Sequence, residues 1–382
     1  MNTGSGKILI LSASAGIGHT RAAEALKSAF IMEKPGCEVT ILDTFKYANP
    51  FFEKLILGTY MEMLRLAPSL YGYLYSSSEK GRPLSGFAKE AFNRLLSRFS
   101  SSRLLELIDR MSPEAVICTH PFTIGVLAEI RKSRGFNYFT VGVITDLTIH
   151  PYMVFPEVDL YLVGTEDLKE DLKGFGIQPD KIHATGIPID PVFGKPADRK
   201  SVLESYSLDD RLTTILVMGG GLGLGPLADS VKELGNSANH CQVIVVTGKN
   251  TRLKEKLERI TPDLKNPVRV LGYVNNIHQL MASSNLMVGK AGGLSCSEAL
   301  SYGLPIFLVE PLPGQEQRNS SYLASTGAAV ALPGVGDLGN TIAKYLENPG
   351  RMKAMSDAAA LLGRPDSALL AARKILSRVI AG

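Results

Sequence analysis

The stretch Gly289-Lys-Ala-Gly-Gly-Leu-Ser-Cys-Ser-Glu298 and, further along the chain, Gly314-Gln-Glu-Gln-Arg-Asn319 decide the fold prediction. Apolar runs precede both segments, at residues 286–288 and 305–309, so each polar cluster is expected where a buried strand opens into a loop or helix. The carboxyl ends of strands are where open α/β sheets bind ligands. The two segments therefore predict a ligand site at the edge of a parallel sheet.

The residue types in these segments are those of a polar ligand site. Glycines let a backbone approach a ligand closely, and Ser295, Ser297 and the first N–H groups of the following helix form a seat for an anion, which suits a diphosphate. Glu298 can accept two hydrogen bonds from neighbouring hydroxyls, as a ribose presents. The second segment adds donors and acceptors for a sugar from Gln315, Glu316 and Asn319. An alternative interpretation is a glycine-rich helix start, as in any Rossmann-like fold.

Composition excludes several classes of protein. The chain has 382 residues, 45% of them hydrophobic, and a formal net charge of +4. This charge does not indicate a nucleic-acid partner, which usually requires clustered basic residues. The cysteines are scattered without Cys-x-x-Cys spacing, so neither a disulfide framework nor a metal site is expected. Since we find no signal peptide and no run of about 18 apolar residues, we expect a cytosolic protein.

Short apolar β-branched runs alternate with helical patterns along the whole chain. They lie at residues 8–11, 39–42, 115–118, 139–144 and 160–163, and again at 214–217, 243–247, 268–271, 286–288 and 306–309. Such alternation predicts the α/β class, with parallel sheets covered by helices on both faces.

The length and a proline-rich interval predict two domains. At about 150 residues per domain the chain is too long for one. Prolines between Gly186 and Asp198 indicate a linker. We therefore expect two Rossmann-like domains, at 1–190 and at 197–364. A final helix is predicted from Ala359 to Ile380, and its end, about 365–382, can pack back on the first domain.

His19 ends the loop that follows the first predicted strand, Ser12-Ala-Ser-Ala-Gly-Ile-Gly-His19. A histidine near its ordinary pKa of about 6.5 can remove a proton from an alcohol at physiological pH, so His19 is a candidate base. The alternative is a histidine that only caps a helix start.

Three further polar residues follow strands of the first domain. Asp146, which can orient His19 or act as an alternative base, and His150 follow the strand at 139–144, and His120 follows the strand at 115–118. His120 and His150 can equally be hydrogen-bonded polar residues that line the same cleft without a role in catalysis.

The segment from Pro50 to Tyr75 is apolar and aromatic, with Tyr60 and Tyr71 among its tyrosines, and a basic stretch from Lys80 to Arg110 follows. Aromatic residues with nearby cations suit insertion at an anionic membrane surface. An ordinary core helix with a solvated basic face is an equal alternative.

Six ordered blocks that extend over nearly the whole chain resemble a known family. The blocks are the loop ending in His19, Val143-Ile-Thr-Asp146 with His150, Thr185-Gly-Ile-Pro-Ile189, Met218-Gly-Gly-Gly221, and residues 289–298 and 314–319. They resemble the monogalactosyldiacylglycerol synthases and processive diacylglycerol glucosyltransferases, to which the lipid II-forming N-acetylglucosaminyltransferase is related. The resemblance implies the GT-B fold, in which two Rossmann-like doubly wound parallel-sheet domains face a cleft. The domain at 1–190 is then the acceptor-binding, membrane-facing one, and the domain at 197–364 binds the donor.

The resemblance also implies a UDP-sugar substrate and no tightly bound cofactor or metal. Uracil is then held near Tyr273-Val274 and the ribose by Glu298. The remaining donor site consists of Gly220, Gly221, Lys290, Gly292, Gly293 and Leu294, with Gln315, Glu316 and Asn319 at the sugar. His19 or Asp146 deprotonates the acceptor hydroxyl, and the acceptor side includes Gly18, His120, His150, Tyr60 and Tyr71.

The activity implied is that of an inverting enzyme that moves glucose or galactose from UDP to diacylglycerol or a similar lipid, as a peripheral protein at the inner face of the cell membrane.

The site departs from the family pattern at two places. Asp190 stands where relatives often carry an arginine near the donor phosphates, and Tyr152-Met-Val-Phe155 replaces a common tryptophan. Alternatives are a polyprenyl-linked cell-wall glycosyltransferase, a UDP-N-acetylglucosamine 2-epimerase, and a non-catalytic UDP-sugar sensor.

Overall fold

The computed structural model describes residues 6–13, 17–48, 103–134, 138–238 and 240–379. The chain divides into two compact units. The first comprises Met1–Pro191, Pro313–Gln315 and Asp366–Gly382, and the second comprises Val192–Leu312 and Glu316–Pro365.

Each unit contains a six-stranded parallel sheet. In the first unit the strand order is β2-β1-β3-β4-β5-β6, with β1 Lys7–Ser12, β2 Glu38–Asp43, β3 Ala115–Cys118, β4 Phe139–Val143, β5 Leu160–Val163 and β6 Ile182–Ala184. In the second unit it is β12-β11-β10-β7-β8-β9, with β7 Thr213–Met218, β8 Cys241–Val246, β9 Val268–Leu271, β10 Leu286–Gly289, β11 Ile306–Val309 and β12 Ala329–Leu332. The predicted α/β class is confirmed.

Helices connect these strands. Those described are α1 Ile17–Glu33, α2 Thr44–Ala48, α3 at 103–111, α4 Pro121–Arg134, α5 Asp167–Gly174, α6 Arg199–Ser205, α7 Leu227–Asn236, α8 Thr251–Ile260, α9 Ile277–Ala282, α10 Gly293–Leu300, α11 Gln315–Ser325, α12 Leu338–Leu346, α13 Pro349–Leu362 and α14 Ser367–Val379. No helix among the described residues is both long enough and apolar enough to cross a bilayer.

The four inner strands of the first sheet, β1, β3, β4 and β5, are buried on both faces, which explains their continuous apolar runs. Ile8 and Ile10 pack with α1 and α14 on one face, and Leu9 and Leu11 pack with α3, α4 and α5 on the other. Successive side chains of a strand point to opposite faces, so one run fills both cores.

Two short strands were not predicted from the sequence. His183 interrupts the apolar pattern of β6, and β12 is half alanine, a residue with low strand propensity. Both are edge strands, where fewer apolar side chains are needed.

The prediction of one final helix from Ala359 to Ile380 is wrong. Helix α13 ends at Leu362, and α14 begins at Ser367. A β-carbon on Gly363 would lie 2.3 Å from the carbonyl oxygen of Leu300, so the chain turns at a position that only glycine can occupy. Pro365 then prevents the first helix from continuing. Helix α14 packs against α1 in the first unit.

Candidate active site

The carboxyl ends of three neighbouring strands position the polar residues of the first unit. Strands β1, β3 and β4 are adjacent and parallel. Thr119 and His120 follow β3, Thr145 and Asp146 follow β4, and His19 lies in the first turn of α1 after β1. His19 is therefore a helix residue, not a loop residue, because α1 begins at Ile17.

Two groups hold the imidazole of His19. Its Nδ1 lies 2.8 Å from the carbonyl oxygen of Thr119 and 2.9 Å from Oγ1 of Thr145. A carbonyl oxygen can only accept, so we infer that Nδ1 carries the proton and donates it to Thr119. The lone pair of His19 is consequently on Nε2. Thr119 and Thr145 hold Nδ1.

Burial lowers the pKa of His19 to about 4, although the hydrogen bond to the Thr119 carbonyl opposes this shift. The expectation of an ordinary pKa near 6.5 is therefore wrong, because the sequence does not show how far the ring is removed from water. His19 is neutral at physiological pH and able to accept a proton, but it is a weaker base than expected.

His120 packs edge-on against His19, with ring centroids 4.4 Å apart. Its Nδ1 accepts a hydrogen bond of 3.2 Å from the N–H of Phe122, which puts its proton on Nε2. Burial, and then the proximity of His19, hold the pKa of His120 well below its ordinary value. Both rings are therefore neutral, with opposite tautomers.

The other residues predicted on the acceptor side have different positions. Asp146 and His150 are buried in the segment after β4, and Gly18 precedes His19 in α1. Asp190 lies in the segment that follows β6. Tyr60, Tyr71 and the basic stretch up to residue 102 lie outside the described residues, as do residues 14–16 of the loop before α1.

In the second unit, a glycine loop follows β7 and is closely packed. A β-carbon on Gly219 would lie 1.9 Å from the carbonyl oxygen of Leu224, and one on Gly223 would lie 2.1 Å from that of Thr247. The N–H of Lys249 donates to the carbonyl of Gly221 at 3.0 Å. The loop is thus fixed against the end of β8.

Helix α10 begins beside this loop with an uncapped amino end. Gly292 is its N-cap and supplies no side-chain hydrogen bond, and a side chain there would meet no atom within 4 Å. The first N–H groups of a helix carry a partial positive charge and bind anions when no cap occupies them. Gly293 and Leu294 lie in this turn, and Ser295 and Ser297 are half-buried further along the helix.

Lys290 connects three segments of the predicted donor site. Its Nζ forms an ion pair of 2.5 Å with Oε1 of Glu316, and its Cε lies 3.8 Å from the point that a β-carbon on Gly220 would occupy. Asn319 donates to the carbonyl of Ala291 at 3.0 Å. The structure therefore brings Gly220, Lys290, Glu316 and Asn319 together.

Five of the predicted donor residues lie on helices α10 and α11 or beyond β9. Gln315, Glu316 and Asn319 are in the first turns of α11 rather than in a loop. Gln315 groups with the first unit. Glu298 is only 2% exposed on α10, and Val274 is half-buried beyond β9, next to the exposed Tyr273.

Thr119 and Thr145 were not predicted as site residues from the sequence. Thr145 does lie within the quoted block Val143-Ile-Thr-Asp146, and both residues follow strand ends, so position at the sheet edge was the available signal. Among the described residues, no group of three or more His, Cys, Asp and Glu side chains is arranged to hold a metal ion.

Two family models match the chain. The model for monogalactosyldiacylglycerol (MGDG) synthase matches residues 19–189, and that for the glycosyltransferase family 28 C-terminal domain matches residues 214–370.

The chain is also similar in fold to solved structures. MurG from Acinetobacter baumannii is 15% identical with a TM-score of 0.60, covering 97% of this chain and 99% of that one. A UDP-GlcNAc 2-epimerase from Neisseria meningitidis bound to UDP-GlcNAc is 14% identical with a TM-score of 0.60, covering 98% and 99%. The GT-B prediction is confirmed.

Curated relatives agree with the family expectation. A processive diacylglycerol β-glucosyltransferase of Bacillus subtilis (strain 168) is 32% identical over 336 residues, which are 87% of this chain and 84% of the relative. The protein of the same name from Bacillus cytotoxicus is 30% identical over 364 residues, 95% and 91% of the two chains. The chain therefore belongs to the glycosyltransferase family of the monogalactosyldiacylglycerol synthases and processive diacylglycerol β-glucosyltransferases.

Proposed function

We propose that the protein is an inverting glycosyltransferase that moves glucose or galactose from a UDP-sugar to the hydroxyl of diacylglycerol or a similar membrane lipid. The names of its relatives support this acceptor class. The observation that carries the proposal is the tautomer of His19, whose Nδ1 is bonded to a carbonyl so that Nε2 keeps its lone pair. Transfer to an alcohol requires such a base within hydrogen-bond reach of the hydroxyl.

The donor side of the proposal uses the uncapped start of α10. The diphosphate lies at this helix end near Gly220, Gly221 and Lys290, where the helix dipole and the ammonium group offset the charge that develops on departing UDP. Uracil lies near Val274 and the ribose hydroxyls bond to Glu298, while the hexose contacts Gln315, Glu316 and Asn319. No metal is needed to neutralise the leaving group in this scheme.

On the acceptor side, His19 removes the hydroxyl proton as the new C–O bond forms. The attacking oxygen becomes strongly acidic as it binds the anomeric carbon, so a base whose pKa is about 4 is sufficient. Direct displacement inverts the anomeric configuration in a single chemical step. Asp146 is the alternative base. A lipid acceptor also implies work at a membrane surface, and we propose a peripheral position on the cytoplasmic face.

The test uses the full chain with vesicles that contain diacylglycerol and, in turn, labelled UDP-glucose and UDP-galactose. The proposal expects a labelled glycolipid whose linkage is β when the donor is α. Formation of an epimerised nucleotide sugar without acceptor would indicate an epimerase, and binding of UDP-sugar without any consumption would indicate a sensor. Flotation of the protein with vesicles of increasing anionic lipid content tests the peripheral position, and equal recovery with neutral vesicles contradicts an anionic surface.

A further inference from the structure

The ion pair between Lys290 and Glu316 joins two residues that the family resemblance assigns to different parts of the donor. Lys290 is expected at the phosphates and Glu316 at the hexose, yet here they bond to each other at 2.5 Å. Their side chains are 25% and 16% exposed, so the pair is more shielded from water than the surface pairs of the same unit. Water therefore screens this pair less than it screens the others.

Glu316 is fixed at both carboxylate oxygens. Oε1 contacts Lys290, and Oε2 accepts a hydrogen bond from the N–H of Leu312 at 3.4 Å. The stem of Lys290 lies beside the glycine loop, with its Cε 3.8 Å from the point that a β-carbon on Gly220 would occupy. The ammonium group of Lys290 is therefore close to the loop and to the uncapped start of α10. It is already paired with the carboxylate of Glu316.

We propose that Glu316 is the resident counter-ion of Lys290, which a donor diphosphate must partly displace and which returns when UDP leaves. The inference rests on the proposed function, because it assumes that the phosphates bind beside Lys290. The carboxylate weakens the binding of UDP and thereby speeds its release after transfer. An enzyme that acts repeatedly on lipid in a membrane benefits from this, because product release often limits turnover.

The size of the effect follows from Coulomb's law. One carboxylate about 6 Å from a doubly charged diphosphate weakens binding about tenfold even where the surroundings screen as strongly as water, and more where they screen less. Removal of that charge should therefore tighten UDP binding by about tenfold or more. The gain should shrink as the salt concentration rises, because salt screens the repulsion.

Titration calorimetry with UDP on the full chain tests this inference. Glu316→Gln removes the charge and preserves the shape, and we expect it to bind UDP at least about tenfold more tightly than the wild type and to release it more slowly in stopped-flow measurements. Lys290→Met should bind UDP more weakly. Asp357→Asn is the matched control, because it removes the same charge from an exposed ion pair on α13 in the same unit, and its UDP affinity should equal that of the wild type.

A second substitution separates charge from structure. Glu316→Asp keeps the charge but shortens the side chain, so its UDP affinity should stay within about threefold of the wild type. If Glu316→Gln binds UDP equally or more weakly, or if Glu316→Asp tightens binding as much as Glu316→Gln does, the counter-ion role is refuted and the pair is a structural link. If the wild type itself binds no UDP, the proposed function fails, and the counter-ion role fails with it.

Discussion

Lowering the pH protonates His19, and the environment of this side chain determines the pH at which activity should be lost. Burial sets the pKa of this side chain at about 4. At pH 5.5 about 97% of His19 is then neutral, whereas about 9% would be neutral at the ordinary pKa of about 6.5. The rate of the chemical step should consequently stay near its plateau from pH 8 to pH 5.5 and fall by half only near pH 4.

The assay is single-turnover transfer of labelled hexose to vesicles that contain diacylglycerol, between pH 3.5 and pH 8. UDP affinity is measured at each pH, so that effects on donor binding can be separated from effects on the chemical step. The same measurements on His19→Ala provide the comparison. This variant should lose about a hundredfold to ten-thousandfold in rate, as expected for a missing general base, while its UDP affinity is unchanged.

Stability must be followed over the same range. The folded-state pKa of His19 lies below its unfolded value, so the unfolded chain binds more protons as the pH falls from about 6.5 to about 4. Buried His120 acts in the same direction. The free energy of unfolding should therefore decline across this window, and rates are compared only where the chain is folded. A fall in rate centred near pH 6.5 that disappears in His19→Ala would refute the proposed environment of His19.

Three further substitutions test individual contacts. Thr145→Val removes one partner of His19 Nδ1 and should lower the transfer rate about three- to tenfold, as the loss of one hydrogen bond implies. Thr145→Ser and the nearby control Thr148→Val should both transfer at the wild-type rate. Equal rates for the two valine variants would contradict a positioning role for Thr145. Glu298→Ala should weaken UDP binding at least about tenfold in calorimetry, and unchanged affinity rules out the ribose contact. Gly219→Ala puts a methyl group 1.9 Å from the Leu224 carbonyl oxygen and should lower the free energy of unfolding in urea by about 2 kcal/mol or more; an unchanged midpoint means that the loop is less constrained.

The sequence predicted the elements whose signal is local. Ten strands matched apolar runs. The inner strands did so because both faces of a parallel sheet are buried there, as Ile8–Leu11 and Ile306–Val309 show. The edge strands β6 and β12 were missed because they are short and carry His183 or alanines in place of large apolar side chains. The break at Gly363 was missed because its cause is a contact with Leu300, more than sixty positions earlier in the chain.

In the candidate site, too, local features could be predicted from the sequence and long-range contacts could not. The residue types His19, Lys290 and Glu316 stood out because of their motifs, whereas their partners depend on the fold. His19 is held by residues 100 and 126 positions away in the chain, and Lys290 by one 26 positions away. The pKa of His19 could not be predicted either, because it depends on burial by residues that no local pattern identifies.

The most direct test of the central claim is single-turnover transfer by the wild type and His19→Ala, measured side by side with diacylglycerol vesicles and labelled UDP-glucose or UDP-galactose. We predict a glycolipid of inverted configuration from the wild type, and at least about a hundredfold less from the variant at unchanged UDP affinity. Absence of glycolipid with both donors, or equal yields from the two proteins, would contradict the account.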